Sequence, residues 1–409
     1  RMLRSAANRA AARALLVRSC QSSSGSTHAQ AAQAAQALPL SPTVERLLRG
    51  SHNALDEAAP QMLATLEASD APLIWHKHSS FLDHLRGVWL MLVAWEQPRA
   101  VCRLGLFHSA YSNSFVSMNL FDPTRDRAAL AELIGEEAEG LVYGFCSIDR
   151  QQLEERVLEE GVVRSEGYAL RHIRTGEALH VSGAEAAAFV IETLADELEQ
   201  RFGWQSDLEA GDVAAVWPGP FLPTLRMART NALARALRAS GLVPPAQLPP
   251  IFERCSAPLR PEDEEAARRL YWAAVSAAPG GRPGGGGATG QIAQLEEAAR
   301  RNPFVGEPHL VRAQLLLQQG RWAEAEGAAS CGVARLAEWA TAYDKRMPWN
   351  AWLNWGRCLA LQARLREWPH THGGLESLGA THPRMRFRGL NTSRHASSAT
   401  SSTRAGAEG

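Results

Sequence analysis

The chain has 409 residues, 45% apolar and 21% charged, with 43 basic side chains matched by 43 acidic ones. A balanced charge excludes a general nucleic-acid binder, which needs surplus cations to displace phosphate counterions. No apolar run approaches the roughly 18 residues of a membrane span, and the length suits two or three globular domains.

The first 44 residues carry five arginines, many alanines and serines, and no acid before Glu45. That composition is expected of an organellar transit peptide, with residues 1–41 a targeting or disordered segment. It points to a mitochondrion, with a plastid as the alternative. Residues 42–205 follow a helical pattern, with amphipathic stretches at Val44–Arg49, Met62–Leu66, Arg127–Ile134 and Glu136–Phe145. Strand-like pieces at Ala169–Arg174 and His180–Val181 predict a small hairpin around Thr175-Gly176. A strong helix is expected over Glu185–Phe202, with Ser182 as N-cap and Glu185 closing a capping box.

Residues 206–260 are proline-rich and read as a wrapped connection holding one helix at about 223–240. Pro261 then opens a helix through about Ala278, and the Gly-rich run at 279–287 reads as a surface insertion. The six cysteines (Cys20, Cys102, Cys146, Cys255, Cys331, Cys358) show no CxxC pair and suit a reducing compartment. Within 261–380, Leu295, Ala298 and Pro303, then Ala313, Leu316, Gly320, Trp322 and Ala325, fall at the spacing of a tetratricopeptide unit. Trp352, Trp355, Gly356 and Leu359 continue the template. Six of twelve tryptophans lie between Trp322 and Trp368, either as core or as a peptide groove. Residues 381–409 read as a disordered tail. The expected fold class is mainly α: a helical domain over 42–205, then a tetratricopeptide-like helical hairpin domain that takes a protein partner.

Chemistry concentrates on two histidines 24 residues apart. On a helical wheel His84 shares a face with Phe81, Leu85 and Val88, and His108 with Val101, Leu104 and Gly105. Two neighbouring helices can thereby present both imidazoles, common transition-metal ligands, to one interior. His76 and His78 flank Lys77 just before the first of these helices and are candidates to line the same cleft, as are Ser109, Tyr111 and Asn113. The alternative is a pair of satisfied core histidines. No GxxxxGK[ST], HExxH or GxSxG motif is present.

The Phe81-Leu82-Asp83-His84-Leu85 and Gly105-Leu106-Phe107-His108-Ser109-Ala110-Tyr111 motifs resemble domain of unknown function 6817. Plant and algal members of that family also resemble this chain at Asn302-Pro303-Phe304-Val305-Gly306-Glu307-Pro308-His309 and at Tyr343-Asp344-Lys345-Arg346. The spacing of the histidines further resembles the HD superfamily of metal-dependent phosphohydrolases, in which one helix gives a histidine, a second a His-Asp doublet, and a later one a final aspartate. The resemblance implies an HD-like domain over 42–205, with His84, His108 and Asp196 as ligands of a divalent metal (Mn, Fe or Zn). Asp149 is the reserve for Asp196. This chain departs from the pattern at Ser109, where the doublet has aspartate, and at Ser112 and Asn113, where the bacterial guanosine-tetraphosphate hydrolases of that superfamily, which it resembles further, place a Glu-Asp pair. Those losses favour a degenerate pocket in a binding or scaffold protein; the alternative is a divalent-metal phosphohydrolase acting on a nucleotide or phosphate ester. On the wheel Asp196 lies with Glu192, Glu199 and Gln200 opposite Ile191, Leu194 and Leu198, which predicts a solvated acidic face as readily as a ligand.

Overall fold

A computed structural model describes residues 38, 40–76, 79–200, 227–249, 251, 258–276, 287–366 and 368. The expected targeting segment before Leu38, His78, most of the Gly-rich insertion and the expected tail from 381 lie outside the described residues. What is described is mainly helical, as the periodicity predicts. In chain order the helices of the first part are α1 (Pro42–Leu48), α2 (Ala59–Glu67), α3 (Phe81–Ala94), α4 (Arg99–Phe107), α5 (Arg127–Ile134), α6 (Glu136–Ser147), α7 (Arg150–Glu160), α8 (Gly183–Gln200) and α9 (Met227–Ser240). Two antiparallel hairpins accompany them, β1 (Trp75–His76) with β2 (Ser79–Ser80), and β3 (Tyr168–Arg171) with β4 (Ala178–Val181). The second hairpin is the one expected around Thr175-Gly176, and Gly176 takes the positive φ of 77° that its turn requires.

Helix ends follow local chemistry. Ser80 caps α3 by accepting the Asp83 amide at 3.1 Å. Ser182 and Glu185 form the expected capping box: Ser182 Oγ accepts the Glu185 amide at 3.3 Å and Glu185 Oε2 accepts the Ser182 amide at 2.8 Å. Helix α3 then buries Phe81, Leu82, Leu85, Val88, Trp89, Met91 and Leu92, each contributing about 1.5–3 kcal/mol of transfer free energy. It crosses α4 closely because Gly105 has no side chain. A Cβ there would lie 2.3 Å from Leu92 Cδ1.

The later helices are α10 (Pro261–Ser276), α11 (Gly287–Arg301), α12 (Glu307–Gln318), α13 (Trp322–Trp339) and α14 (Trp349–Leu365), each packed on the next in the order of the chain. Gly356 lets α14 approach within van der Waals limits; a Cβ there would meet Val333 Cγ2 at 2.7 Å and Leu310 Cδ2 at 2.8 Å. The tryptophans of this part belong to the core. Trp352 is fully buried, and Trp322, Trp349, Trp355 and Trp368 pack against the same cluster.

The two parts share their packing. Phe304, Val305, Trp339 and Ala340 belong to the first hydrophobic cluster, while Val44 of α1 belongs to the second. Trp95, just past α3, donates its indole N–H to the Glu338 carbonyl at 2.8 Å. Cys102 and Cys146 are buried free thiols and Cys358 an exposed one, whereas Cys331 is disulfide-bonded, which departs from the expectation of reduced thiols throughout. No helix among the described residues is long and apolar enough to cross a membrane.

Candidate metal centre

His84 and His108 meet. His84 projects from the first turn of α3, and His108 is the residue that ends α4, one position past the helix on which the wheel placed it. Their rings stand edge to face with centroids 5.1 Å apart, and the two Nε2 atoms are 3.3 Å apart. The close α3–α4 crossing at Gly105 sets this separation, and the Gly105 carbonyl accepts a hydrogen bond from His108 Nδ1 at 2.8 Å. His84 Nδ1 donates to Glu199 Oε2 at 2.6 Å. Both acceptors lack protons when Glu199 is ionised, so both rings carry hydrogen on Nδ1 and turn Nε2 toward each other.

Asp196 joins them. Its Oδ1 lies 3.3 Å from His84 Nε2 and 3.8 Å from His108 Nε2. Three electron pairs therefore converge, and the three residues form a buried group able to hold a metal ion. A point equidistant from the three ligand atoms lies about 2.0 Å from each, which matches the ~2.0–2.2 Å bonds that imidazole and carboxylate make to first-row divalent ions. The donor set, two neutral imidazoles and one carboxylate, also suits such an ion. The residues fit.

The acids come from one helix. Glu192, Asp196 and Glu199 follow one another at i, i+4 and i+7 along α8, so all three share a face. That face is not solvated: Glu192 is 0%, Asp196 4% and Glu199 6% exposed. The expected solvated acidic face is thus corrected. Helix α8 is packed on all sides by α3, α4, α6 and α9, so the acids have protein partners in place of water. Arg150, at the start of α7, donates from Nη2 to Asp196 Oδ2 at 2.7 Å, and Gln200 donates to Oδ1. The Arg150 guanidinium is held over the Phe145 ring, 4.4 Å from its centroid. Glu192 stands 3.5 Å from His108 Nδ1 and 3.9 Å from Arg150 Nη2, with no hydrogen-bond partner on either oxygen.

These contacts push the groups apart in proton affinity. Burial opposes charge on Asp196, but Arg150 and the two histidines more than offset it and hold the carboxyl well below its usual range. Glu192 goes well above its usual range, because burial and the Asp196 charge outweigh Arg150. His84 rises to about 9, since hydrogen bonds to Asp196 and Glu199 overcome burial, while burial and the neighbouring His84 charge lower His108 to about 4. Without a metal the pair thus favours one proton beyond its two Nδ1 hydrogens at neutral pH, on His84 Nε2. That proton occupies the place between the acceptors that a cation would take.

Among the other residues singled out by sequence, His76 comes to the site, its ring 4.5 Å from that of His84. His78 lies outside the described residues. Ser109, Tyr111 and Asn113 are buried but bonded elsewhere: Asn113 Nδ2 donates to Ser109 Oγ at 2.8 Å, and the Tyr111 hydroxyl donates to Glu139 at 3.0 Å, itself gripped by Arg127. Asp149 caps α7 and pairs with Arg171 at 2.6 Å, away from the histidines, so it is not the third carboxylate. Sequence reasoning missed Arg150, Glu192 and Glu199 as site residues, and Lys345, whose Nζ stands 3.9 Å from Glu199 Oε1. The i, i+4, i+7 spacing of the acids was visible; the cations facing them were not.

Fold and site define a mainly helical protein with a buried His-His-Asp cluster. Residues 65–150 match a family model described as Domain of unknown function (DUF6817). The match takes in both histidines and Arg150 but stops short of α8, which supplies the carboxylates. No curated protein and no solved structure was found to match the chain.

Proposed function

We propose that this chain is a metal-binding organellar protein on an HD-like helical scaffold, in which His84, His108 and Asp196 hold a divalent ion (Mn, Fe or Zn). Its tetratricopeptide-like C-terminal helices take a protein partner. The observation that carries the reading is the convergence of His84 Nε2, His108 Nε2 and Asp196 Oδ1 within 3.3–3.8 Å, with each Nδ1 already committed to an acceptor behind it. Imidazoles oriented through Nδ1 by a carboxylate or carbonyl are the arrangement by which proteins aim Nε2 at a metal. A bound ion here supplies cross-linking of α3, α4 and α8 and Lewis acidity. Burial weighs toward holding over turnover, since His84 is 1%, His108 2% and Asp196 4% exposed.

A second reading, a metal-dependent phosphohydrolase, is favoured by one observation. Three protein ligands leave coordination positions for an outside group, as in catalytic sites.

The test is elemental analysis of the full chain after loading with Mn, Fe or Zn and desalting. About one equivalent is expected, and none in His84→Ala or His108→Ala. No retained ion in the wild type sinks the metal reading. Metal-dependent phosphate release from a panel of nucleotides, lost in both variants, would move the conclusion to the hydrolase.

A further inference from the structure

Glu199 reaches His84 by an unusual route. It leaves α8 and crosses α3 at Gly87, where a Cβ would stand 2.7 Å from Glu199 Cγ and 2.9 Å from Oε1. Gly87 sits inside a 14-residue helix, where alanine would be the better helix former. Its missing side chain is the slot that admits the glutamate. The same carboxylate is faced by Lys345, from the connection between α13 and α14. Its ammonium lies 3.9 Å from Oε1 and donates to Thr341 Oγ1 at 2.6 Å, and its side chain is 7% exposed. One oxygen of Glu199 therefore faces a cation of the C-terminal part, while the other, 2.6 Å from His84 Nδ1, fixes the ring.

We infer that Glu199, admitted over Gly87 and braced by Lys345, is the positioning carboxylate of His84, so that the metal centre is assembled from both parts of the chain. This deepens the metal-binding reading and rests on it. Glu199 touches neither Nε2 nor the point between the ligands; it acts through His84. The C-terminal helices then do more than offer a surface to a partner. A partner that shifts the α13–α14 connection withdraws Lys345 and alters the hold on the ion, and by reciprocity the ion favours the docked arrangement.

Competition for Zn²⁺ against a chromogenic chelator, on the full chain, tests this. Glu199→Gln should weaken binding by about 10- to 100-fold, the range for outer-shell partners of ligating histidines. Gly87→Ala, which removes no charge, should do the same. Lys345→Met should weaken binding at least about 3-fold in the wild-type background and less than about 2-fold in Glu199→Gln, because its effect passes through that carboxylate. A lysine with a merely structural role would cost the same in both backgrounds, which overturns the inference, as does an unchanged affinity in Gly87→Ala. A second readout needs no metal. In the metal-free chain the His84 Nδ1 proton should resonate far downfield by NMR and move in all three variants, while that of His108 stays. If the wild type binds no Zn²⁺, the metal reading fails and this resonance still decides the positioning claim: no movement refutes it.

Discussion

Replacing Arg150 by methionine isolates the charge balance on which the centre stands. Arg150 is 2% exposed; its Nη2 lies 2.7 Å from Asp196 Oδ2 and 3.9 Å from Glu192 Oε2. Burial works against its charge, but Asp196, Glu192 and Glu154 hold it protonated far above any working pH. Methionine keeps much of the packing against Phe145 and removes the cation. Asp196 is then a buried carboxylate left with Gln200 and the histidines but no guanidinium, and Glu192 loses its nearest opposite charge. Breaking one side of a buried ion pair costs about 3–5 kcal/mol. At about 2 °C per kcal/mol for a chain of this size, the melting temperature of the metal-free protein should fall by roughly 6–10 °C. Neutralising the abandoned partner, in Arg150→Met with Asp196→Asn, should recover more than half of that loss, since no lone charge then stays buried. Thermal unfolding followed by circular dichroism reads all three. A single variant within about 1 kcal/mol of wild type, or a double variant no better than the single, would refute the account of Arg150 as the counter-charge of α8.

Three further outcomes follow from the packing and the titrating groups. Gly105→Ala should overpack the α3–α4 crossing against Leu92, where the added Cβ would lie 2.3 Å from Cδ1; urea denaturation should show a loss of about 1–3 kcal/mol. Trp95→Ala should cost about 3–5 kcal/mol, because the residue is 1% exposed and bonds to Glu338 O, and a loss under 1 kcal/mol would deny that the two parts are packed together. Glu307, buried at the start of α12 and bonded to the Tyr343 and Asp344 amides at 2.6 and 3.0 Å, has its pKa pushed up to about 7, chiefly by burial. A raised acid favours the fold while protonated. Its contribution is therefore full below pH 4.5, its unfolded value, and is lost as pH rises through about 7. Urea midpoints from pH 4 to 8 should show that decline in the wild type and a flatter profile in Glu307→Gln; equal slopes contradict it.

How much of this was legible in the sequence depended on whether a feature is local. The β3–β4 hairpin, the Ser182–Glu185 box and the span of α5 are set by neighbours within a few residues, and periodicity with capping chemistry finds them. The histidine pair was legible because each ring shares a face with apolar residues. Asp196 was among the expected ligands, but the alternative of a solvated acidic face failed for a physical reason. A wheel assigns a polar face to water, but α8 is enclosed, and its three acids are offset by Arg150 and Lys345, 46 and 149 positions from Asp196 in sequence. No local pattern announces a counter-ion supplied by another helix. Gly87 carried a readable hint, since a mid-helix glycine asks for a reason. The carboxylate that needs the space is visible only in three dimensions.

If two Nε2 atoms and Asp196 Oδ1 enclose the divalent ion, X-ray absorption at the zinc edge of the loaded full chain sees that shell. Two imidazole nitrogens and at least one oxygen at about 2.0–2.2 Å are expected, with no zinc-edge signal retained in desalted His108→Ala. Sulfur ligands, fewer than two imidazoles, or a spectrum unchanged by that substitution would contradict the account.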